Sequence, residues 1–401
     1  MKTRTLTKTL LAVGIASAVF TVQAAELRVN GFASVVGGKA INDEKAASNA
    51  IAAPGVFDET TRYEVAPVFS GDPNAFYDED FSFKPETNIG LQLSADLGDG
   101  LSVVAQLTAQ GANDFDAEIE WLYVSYDINS QLNAKAGRQR IPFYSYSDYL
   151  DVGYAYHWIR PPQDVYNLPI SSYEGVSATY SGSVGDWDTS LMGYFGAGDN
   201  DTSSLMQLDT EKAIGIVLTG SYDWLELRVA YHELDVEVPD FFGDGTDGRP
   251  FSAGNEETFE YASFGAKGNF GSFFTGFEYT TSSFSETPSF PFDTGSEGTD
   301  SWYLTAGYRV GSWTPHITFS SNETEYETND FGGDGLLPDY RDGHELVRET
   351  WTLGVRYDFH PSAALKIEYT DSSDESSSEI TADAGKAGEV STIAVGVDVI
   401  F

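Results

Sequence analysis

The sequence predicts an all-β chain that closes into a transmembrane antiparallel up-and-down β-barrel of about sixteen strands, with its third long loop folded inward. Three observations carry this. Turn-bounded alternation of apolar and polar residues runs from Glu26 to Phe401 with no Pro/Ser linker or compositional break, so the 401 residues read as one unit. Short and long connections alternate along that stretch. Beyond residue 24, no apolar run approaches the ~20 residues that a membrane helix needs, and only a closed barrel satisfies the backbone in lipid without helices. A soluble β-sandwich of this length would be expected to split into domains.

The first residues carry Lys2, Arg4 and Lys8, an apolar run from Leu10 to Phe20, and then Val22-Gln23-Ala24, a small-x-small cleavage pattern. Residues 1–24 therefore read as a signal peptide and 25–401 as a single barrel domain. With 62 acidic against 22 basic residues the formal charge is −40, which excludes nucleic acid as a partner because phosphate binding needs Lys/Arg patches. Cysteine is absent, so neither disulfides nor thiolate chemistry is available. A mean hydropathy of −0.26 resembles that of a soluble protein, as expected when half of each strand faces water.

The strands show a period of two. In the last, Ile393, Val395, Val397, Val399 and Phe401 share one face, and Thr392, Ala394, Gly396 and Asp398 the other; only Ile400 breaks the rule. Upstream, Leu27, Val29, Ala33 and Val35 oppose Arg28, Asn30 and Ser34, while Ile89, Leu91, Leu93 and Ala95 oppose Gly90, Gln92, Ser94 and Asp96. Leu225, Leu227, Val229 and Tyr231 oppose Glu226, Arg228 and His232; Trp351, Leu353, Val355 and Tyr357 oppose Thr352, Gly354, Arg356 and Asp358. Charges collect on one parity. Because Arg or Lys facing lipid at mid-depth costs about 2–4 kcal/mol, that parity is the lumen. Trp302, Tyr308, Trp313, Phe319, Trp351 and Phe359 lie on the other, as interfacial girdles would.

Short connections are expected near 98–100, 129–130, 183–185, 222–223, 269–270, 311–312 and 360–361, and long ones near 38–85, 111–117, 140–173, 197–210, 236–257, 285–299, 321–345 and 371–388. The alternation joins sixteen strands and puts both ends of the barrel on the short-turn side. The terminal strand STIAVGVDVIF, ending on Phe401, looks like the assembly signal of outer-membrane barrels, and the whole mature chain resembles the Gram-negative porins of general diffusion type. In that family a strand ending in Gly-Arg plus a polar residue precedes a long third outer loop that bends inward; Gly137-Arg138-Gln139 stands at that place. The Pro-Glu-Phe-Gly-Gly stretch that many members carry at the loop tip is missing from 140–173. The resemblance implies an outer-membrane location, a passive diffusion channel for small hydrophilic solutes and ions, contact with outer-membrane lipid, and a homotrimer.

A sixteen-stranded barrel leaves an aqueous channel, so some element must set its size limit, and long ordered loops are usually functional. The connection 140–173 has no strand pattern. Its rings, Tyr144 and Tyr146 among them, are expected to pin it to the wall, and Pro142, Pro161, Pro162 and Pro169 to stiffen it. Arg138 and Arg140 share a parity and are expected to point inward, facing Asp148 and Asp151 across a transverse field that favours polar solutes. Arg28, Arg160, Arg228, Arg309 and Arg356 are further candidates for the lining; the alternative for each arginine is an ion pair that anchors the loop. Acidic outer loops oppose these cations, and a weak cation preference is expected.

An enzyme would need a Ser-His or Asp-His arrangement. The five histidines, His157, His232, His316, His344 and His360, lie in no such motif, so no catalytic role is expected. A channel specific for oligosaccharides or organic ions, using the tyrosine-rich loop, is the closer alternative. The runs Gly243-Asp244-Gly245-Thr246-Asp247-Gly248 and Gly198-Asp199-Asn200-Asp201 faintly suggest calcium loops but lack EF-hand spacing, so they read as flexible acidic loops and no metal or cofactor is implied. An adhesive role for the long loops is a further alternative.

Overall fold

The computed structural model describes residues 26–41, 77–168, 170–201, 207–237, 256–284, 296–326, 345–374 and 390–401. The leader, most of the long loops, Pro169, His344 and the run 243–248 lie outside these residues.

Sixteen strands follow one another in the chain: β1 (Glu26–Ala40), β2 (Asn88–Gly98), β3 (Leu101–Gln110), β4 (Ala117–Asp127), β5 (Leu132–Arg140), β6 (Ser172–Val184), β7 (Trp187–Asp201), β8 (Gln207–Tyr222), β9 (Leu225–Glu237), β10 (Glu256–Phe270), β11 (Phe273–Phe284), β12 (Ser296–Tyr308), β13 (Trp313–Tyr326), β14 (Glu345–His360), β15 (Ala363–Asp374) and β16 (Val390–Ile400). Each pairs antiparallel with its sequence neighbours, and β1 pairs with β16 from Phe32↔Ile400 to Ala40↔Thr392, which closes the barrel. Closure removes every sheet edge. Phe401 completes the seam: it exchanges backbone hydrogen bonds of 2.7 and 2.9 Å with Gly31, and its ring covers that glycine so closely that a Cβ there would stand 2.2 Å away.

The predicted alternation is the wall's two faces. Leu27, Val29 and Val35 are exposed outward, whereas Ser34 and Asp398 are buried inward. On the outer face Trp302, Phe319 and Trp351 form a ring ladder across β12, β13 and β14, with centroids 5.2 and 4.8 Å apart. No helix of the described residues is long and apolar enough to cross a membrane.

The strands run further into the long connections than the Gly/Asp-rich sequence predicts. Gly198-Asp199-Asn200-Asp201, read above as a possible calcium loop, belongs to β7 and pairs with Gln207 to Thr210 of β8. Ladder hydrogen bonds satisfy a polar backbone whether or not its side chains favour strands, and tertiary pairing overrides local propensity.

β4 and β5 are irregular where the loop 141–171 begins. β4 skips a residue against β3 between Ile119 and Trp121, and Gly137 of β5 takes φ +131°, with a Cβ position only 2.3 Å from the Leu122 carbonyl oxygen. Both steric limits require glycine. Gly137→Val is expected to destabilise the barrel by about 1–3 kcal/mol and to lower the temperature at which the detergent-folded form converts to the unfolded band on a gel.

Candidate functional site

Between β5 and β6 the chain forms no strand, only turns, including short 3-10 turns at Ser147–Tyr149 and Gly153–Ala155. Its backbone carbonyls therefore need donors from elsewhere. Positively charged side chains of the barrel wall supply many of them. Arg228 of β9 donates to the carbonyls of Pro142 and Phe143, and Arg140 to that of Ser147 at 3.1 Å. Arg356 of β14 donates to Tyr154 and Tyr156, each at 2.7 Å, and Lys366 of β15 to Gly153 at 2.6 Å and to Trp158. Lys267 of β10 reaches Ser145 at 3.4 Å.

Carboxylates of the wall take the converse role. Glu278 of β11 accepts from the Ser145 amide at 2.7 Å and from the Tyr166 hydroxyl at 2.5 Å, and Glu368 of β15 accepts from the Ile159 amide at 2.7 Å. The loop's own Asp164 accepts from Ser320 of β13 at 2.6 Å and pairs with Arg348 of β14. Lys366 is neutralised by Asp398 of β16 at 2.7 Å, both side chains being almost fully buried. Hydrogen bonds to charged groups contribute more than neutral ones, about 1.5–3 kcal/mol each.

Apolar packing fills the rest. Ile141, Phe143, Tyr144, Tyr156, Trp158, Val165 and Ile170 from the segment form one core with Tyr194, Leu234, Phe259, Tyr261 and Tyr303 of β7, β9, β10 and β12. Trp158 is completely buried, and its indole N–H donates to Thr318 Oγ1 at 2.8 Å.

The residues expected in the lining fall into three groups. Arg140 and Asp151 meet: the guanidinium lies 2.5 Å from Asp151 and 2.7 Å from Glu120 of β4, with all three side chains at most 10 % exposed. Burial pushes the Asp151 carboxyl up while the Arg140 guanidinium pulls it down. Arg160 is also engaged, donating to the Glu86 carbonyl at 2.9 Å, with its Nε 3.7 Å from the Glu86 carboxylate. Tyr144 and Tyr146 lie in the ring cluster, Tyr144 buried with its centroid 4.4 Å from that of Tyr166, Tyr146 half-buried under Lys267 at 4.2 Å.

Arg138 and Arg28 depart from expectation. Arg138 does not share Arg140's surroundings: it stands opposite Leu122 and Glu174, in register with the exposed Val124 and Val176, and pairs with Glu174 at 3.5 Å. Gln139, which accepts from Ser177, keeps the lumenal parity, so strict alternation fails only at Arg140, the last residue of β5, whose side chain turns to the loop. Arg28 lies at the short-turn end of β1, exposed and paired with Glu26 at 3.0 Å, far along the strand from the residues that hold the loop.

Asp148 differs from all of these. It is exposed, and among the described residues it forms no hydrogen bond or ion pair; its carboxylate lies within electrostatic range of Tyr123 of β4. Sequence reasoning did not single out Lys366, Asp398, Glu278, Glu368 or Asp164. Several of these share a signal: Lys366 stands opposite Gly396, Glu368 opposite Gly354, Glu278 and Arg228 both opposite Gly265. A lumenal charge beside a residue without a side chain leaves room for a backbone segment.

Two outcomes follow. Lys366→Met leaves the Asp398 charge buried without a partner and takes a donor from the Gly153 and Trp158 carbonyls, at a cost of about 3–5 kcal/mol, read as proteolytic sensitivity of 141–171 in the folded barrel. His157, packed against Trp158, Phe274 and His316, is held well below its ordinary pKa by desolvation, with His316, Lys366, Arg356 and Arg309 adding to the effect. In the unfolded chain it titrates near ~6.5. The folded state then binds fewer protons, so stability is lost as pH falls below that value. Trp158 fluorescence is expected to change on acidification below about pH 6, and His157→Gln to blunt the change.

A family model described as Gram-negative porin matches residues 10–377. No curated protein matches significantly. Among solved structures, OmpT of Vibrio cholerae is 11% identical over 95% of this chain and 99% of that one, with a TM-score of 0.57. The outer membrane channel DcaP of Acinetobacter baumannii is 12% identical over 94% and 98%, with a TM-score of 0.57. An anion-selective porin from Comamonas acidovorans is 13% identical over 94% and 100%, with a TM-score of 0.54. At such identities the likeness concerns the fold. The family match spans nearly all of a closed sixteen-stranded barrel, and the chain belongs to the Gram-negative porin family.

Proposed function

We propose that this outer-membrane porin, a channel for passive diffusion of small hydrophilic solutes and ions, is narrowed by the segment 141–171. The observation that carries the reading is the set of wall-to-loop bonds, which reach from β5 through β9–β11 and β13–β15. A segment held from so many strands on their lumenal parity crosses the barrel interior. Arg140, Asp151 and Arg160 then act as anchors of the loop rather than as free charges of the lining. Asp148 and Ala155 are the exposed residues between Ile141 and Leu168, and the Asp148 carboxylate lies within electrostatic range of Tyr123. Solutes pass beside Asp148.

No catalytic role is part of this reading: His157, His232 and His316 are each packed among loop and wall side chains, as ring contacts and hydrogen bonds attest. A cleaved leader at 1–24 delivers the chain to the outer membrane, and the family resemblance supports a homotrimer. A weak cation preference belongs to the same reading, since acids outnumber bases; a reversal potential in a KCl gradient that showed clear anion preference would overturn it.

Tyr149 is half-buried next to Asp148, its ring 5.5 Å from that of Tyr146. Removing it trims the loop where the passage is placed. Tyr149→Ala is expected to raise single-channel conductance in planar bilayers and to admit larger neutral solutes. Unchanged conductance and size limit would contradict a passage beside residues 146–149.

A further inference from the structure

The charges that β5, β6 and β8 carry on the outward parity take no part in seating the loop. Register sets Arg138 opposite Glu174, and Glu174 opposite Ala197. In β8 the register shifts, with Gly196 against Ala213 and Gly198 against Thr210, which brings Glu211 level with Ala197. One row nearer the short turns, Ala136, Val176, Phe195 and Ile214 face one another in the same order, all of them exposed. The two rows frame a groove of about 470 Å³ on the outer face, with Glu174 and Glu211 as walls, Ala197 between them, and Val176 and Phe195 below. The next row holds Ala134, Ala178 and Gly193, and a Cβ on Gly193 would have no neighbour nearer than 3.9 Å, so the groove continues down the wall as a shallow trough.

Its height follows from strand geometry. From Val184 at the short turn, β6 runs ten residues to Glu174. That is about 33 Å of strand, which the usual 35–45° tilt reduces to about 25 Å, the height of the apolar band of an outer-membrane barrel. The charged row therefore lies where lipid chains give way to headgroups. Arg138 and Glu174 form a loose pair there at 3.5 Å, the carboxylate side chain 66 % exposed. Glu211 has no ion pair among the described residues, and its neighbour Lys212 is committed to Glu233 and Asp235. Two carboxylates thus share one guanidinium at the edge of the lipid, where an uncompensated charge is costly.

We propose that this groove seats a lipid with a phosphoethanolamine headgroup, its ammonium between Glu174 and Glu211 above Ala197, its phosphate at Arg138 and an acyl chain along Val176, Phe195 and Gly193. A primary ammonium has three N–H donors, enough to bridge both carboxylates, and Phe195 offers a ring to the same cation. A choline headgroup has no N–H to donate, and a glycerol headgroup brings no positive charge. Nothing in this seating involves the loop 141–171.

The test is native mass spectrometry of the folded barrel in detergent with a chelator present, adding phosphatidylethanolamine, phosphatidylcholine or phosphatidylglycerol of identical acyl chains. The unaltered protein is expected to retain phosphatidylethanolamine several-fold more than either of the others. Glu211→Gln and Ala197→Leu should each remove that preference, the first by taking away one carboxylate, the second by filling the space between the two with no change of charge. Both positions are outside the packed core, and a native heat-modifiable band checks that each variant is folded. Equal retention of the three lipids by the unaltered protein, or a preference that survives both substitutions, overturns the proposal. A preference that appears only when magnesium replaces the chelator assigns the carboxylates to a divalent cation and overturns it as well.

Discussion

The buried carbonyl groups of residues 141–171 are the constraint on which the interior depends. A segment that enters a barrel without joining a strand ladder brings a row of acceptors into a space where water is partly excluded, and each must find a donor. Neutral side chains offer one or two donors at short reach. Arginine offers five in a rigid fork and lysine three on a long stem, so Arg228, Arg356 and Lys366 each satisfy two carbonyls at once. Their charges are balanced by acids on the same wall or loop, as Asp398 balances Lys366 and Asp358 balances Arg356. Seating the loop therefore consumes most of the lumenal charge.

That consumption changes how the pore's electrostatics arise. Counting lumenal arginines suggests a strong positive field, yet a guanidinium that donates to two carbonyls and touches a carboxylate projects little charge into the passage. The aromatic core beneath the loop, from Phe143 to Tyr261 and Tyr303, makes the same segment rigid, so its position is a property of the fold.

The wall was legible in the sequence because period two is a direct consequence of strand geometry, and a misplaced charge facing lipid is expensive. The strand count and most short turns could be read from that alone, as at Asp99-Gly100 and Asp223, where φ is positive. The loop was legible as the stretch that fits no period. Its seating was not. Arg138 and Arg140 look equivalent two residues apart, yet Arg138 pairs outward with Glu174, whereas Arg140, the last residue of β5, is buried between Asp151 and Glu120. Lys366 and Glu278 lie in no motif that marks them. Their partners lie more than a hundred residues away, and no local pattern links a wall residue to a loop carbonyl.

The absence of cysteine from the chain makes a direct measurement of this arrangement available. Ser125 of β4 and Thr318 of β13 are both on the lumenal parity, one half-buried opposite Lys135 and the other buried against Trp158. A single cysteine at each position, challenged with a charged thiol reagent during single-channel recording, reports which part of the wall is open. The account predicts rapid modification and a fall in current at position 125, with no reaction at position 318 while the barrel stays folded. Equal reactivity at the two positions would contradict a loop fixed against β9–β15.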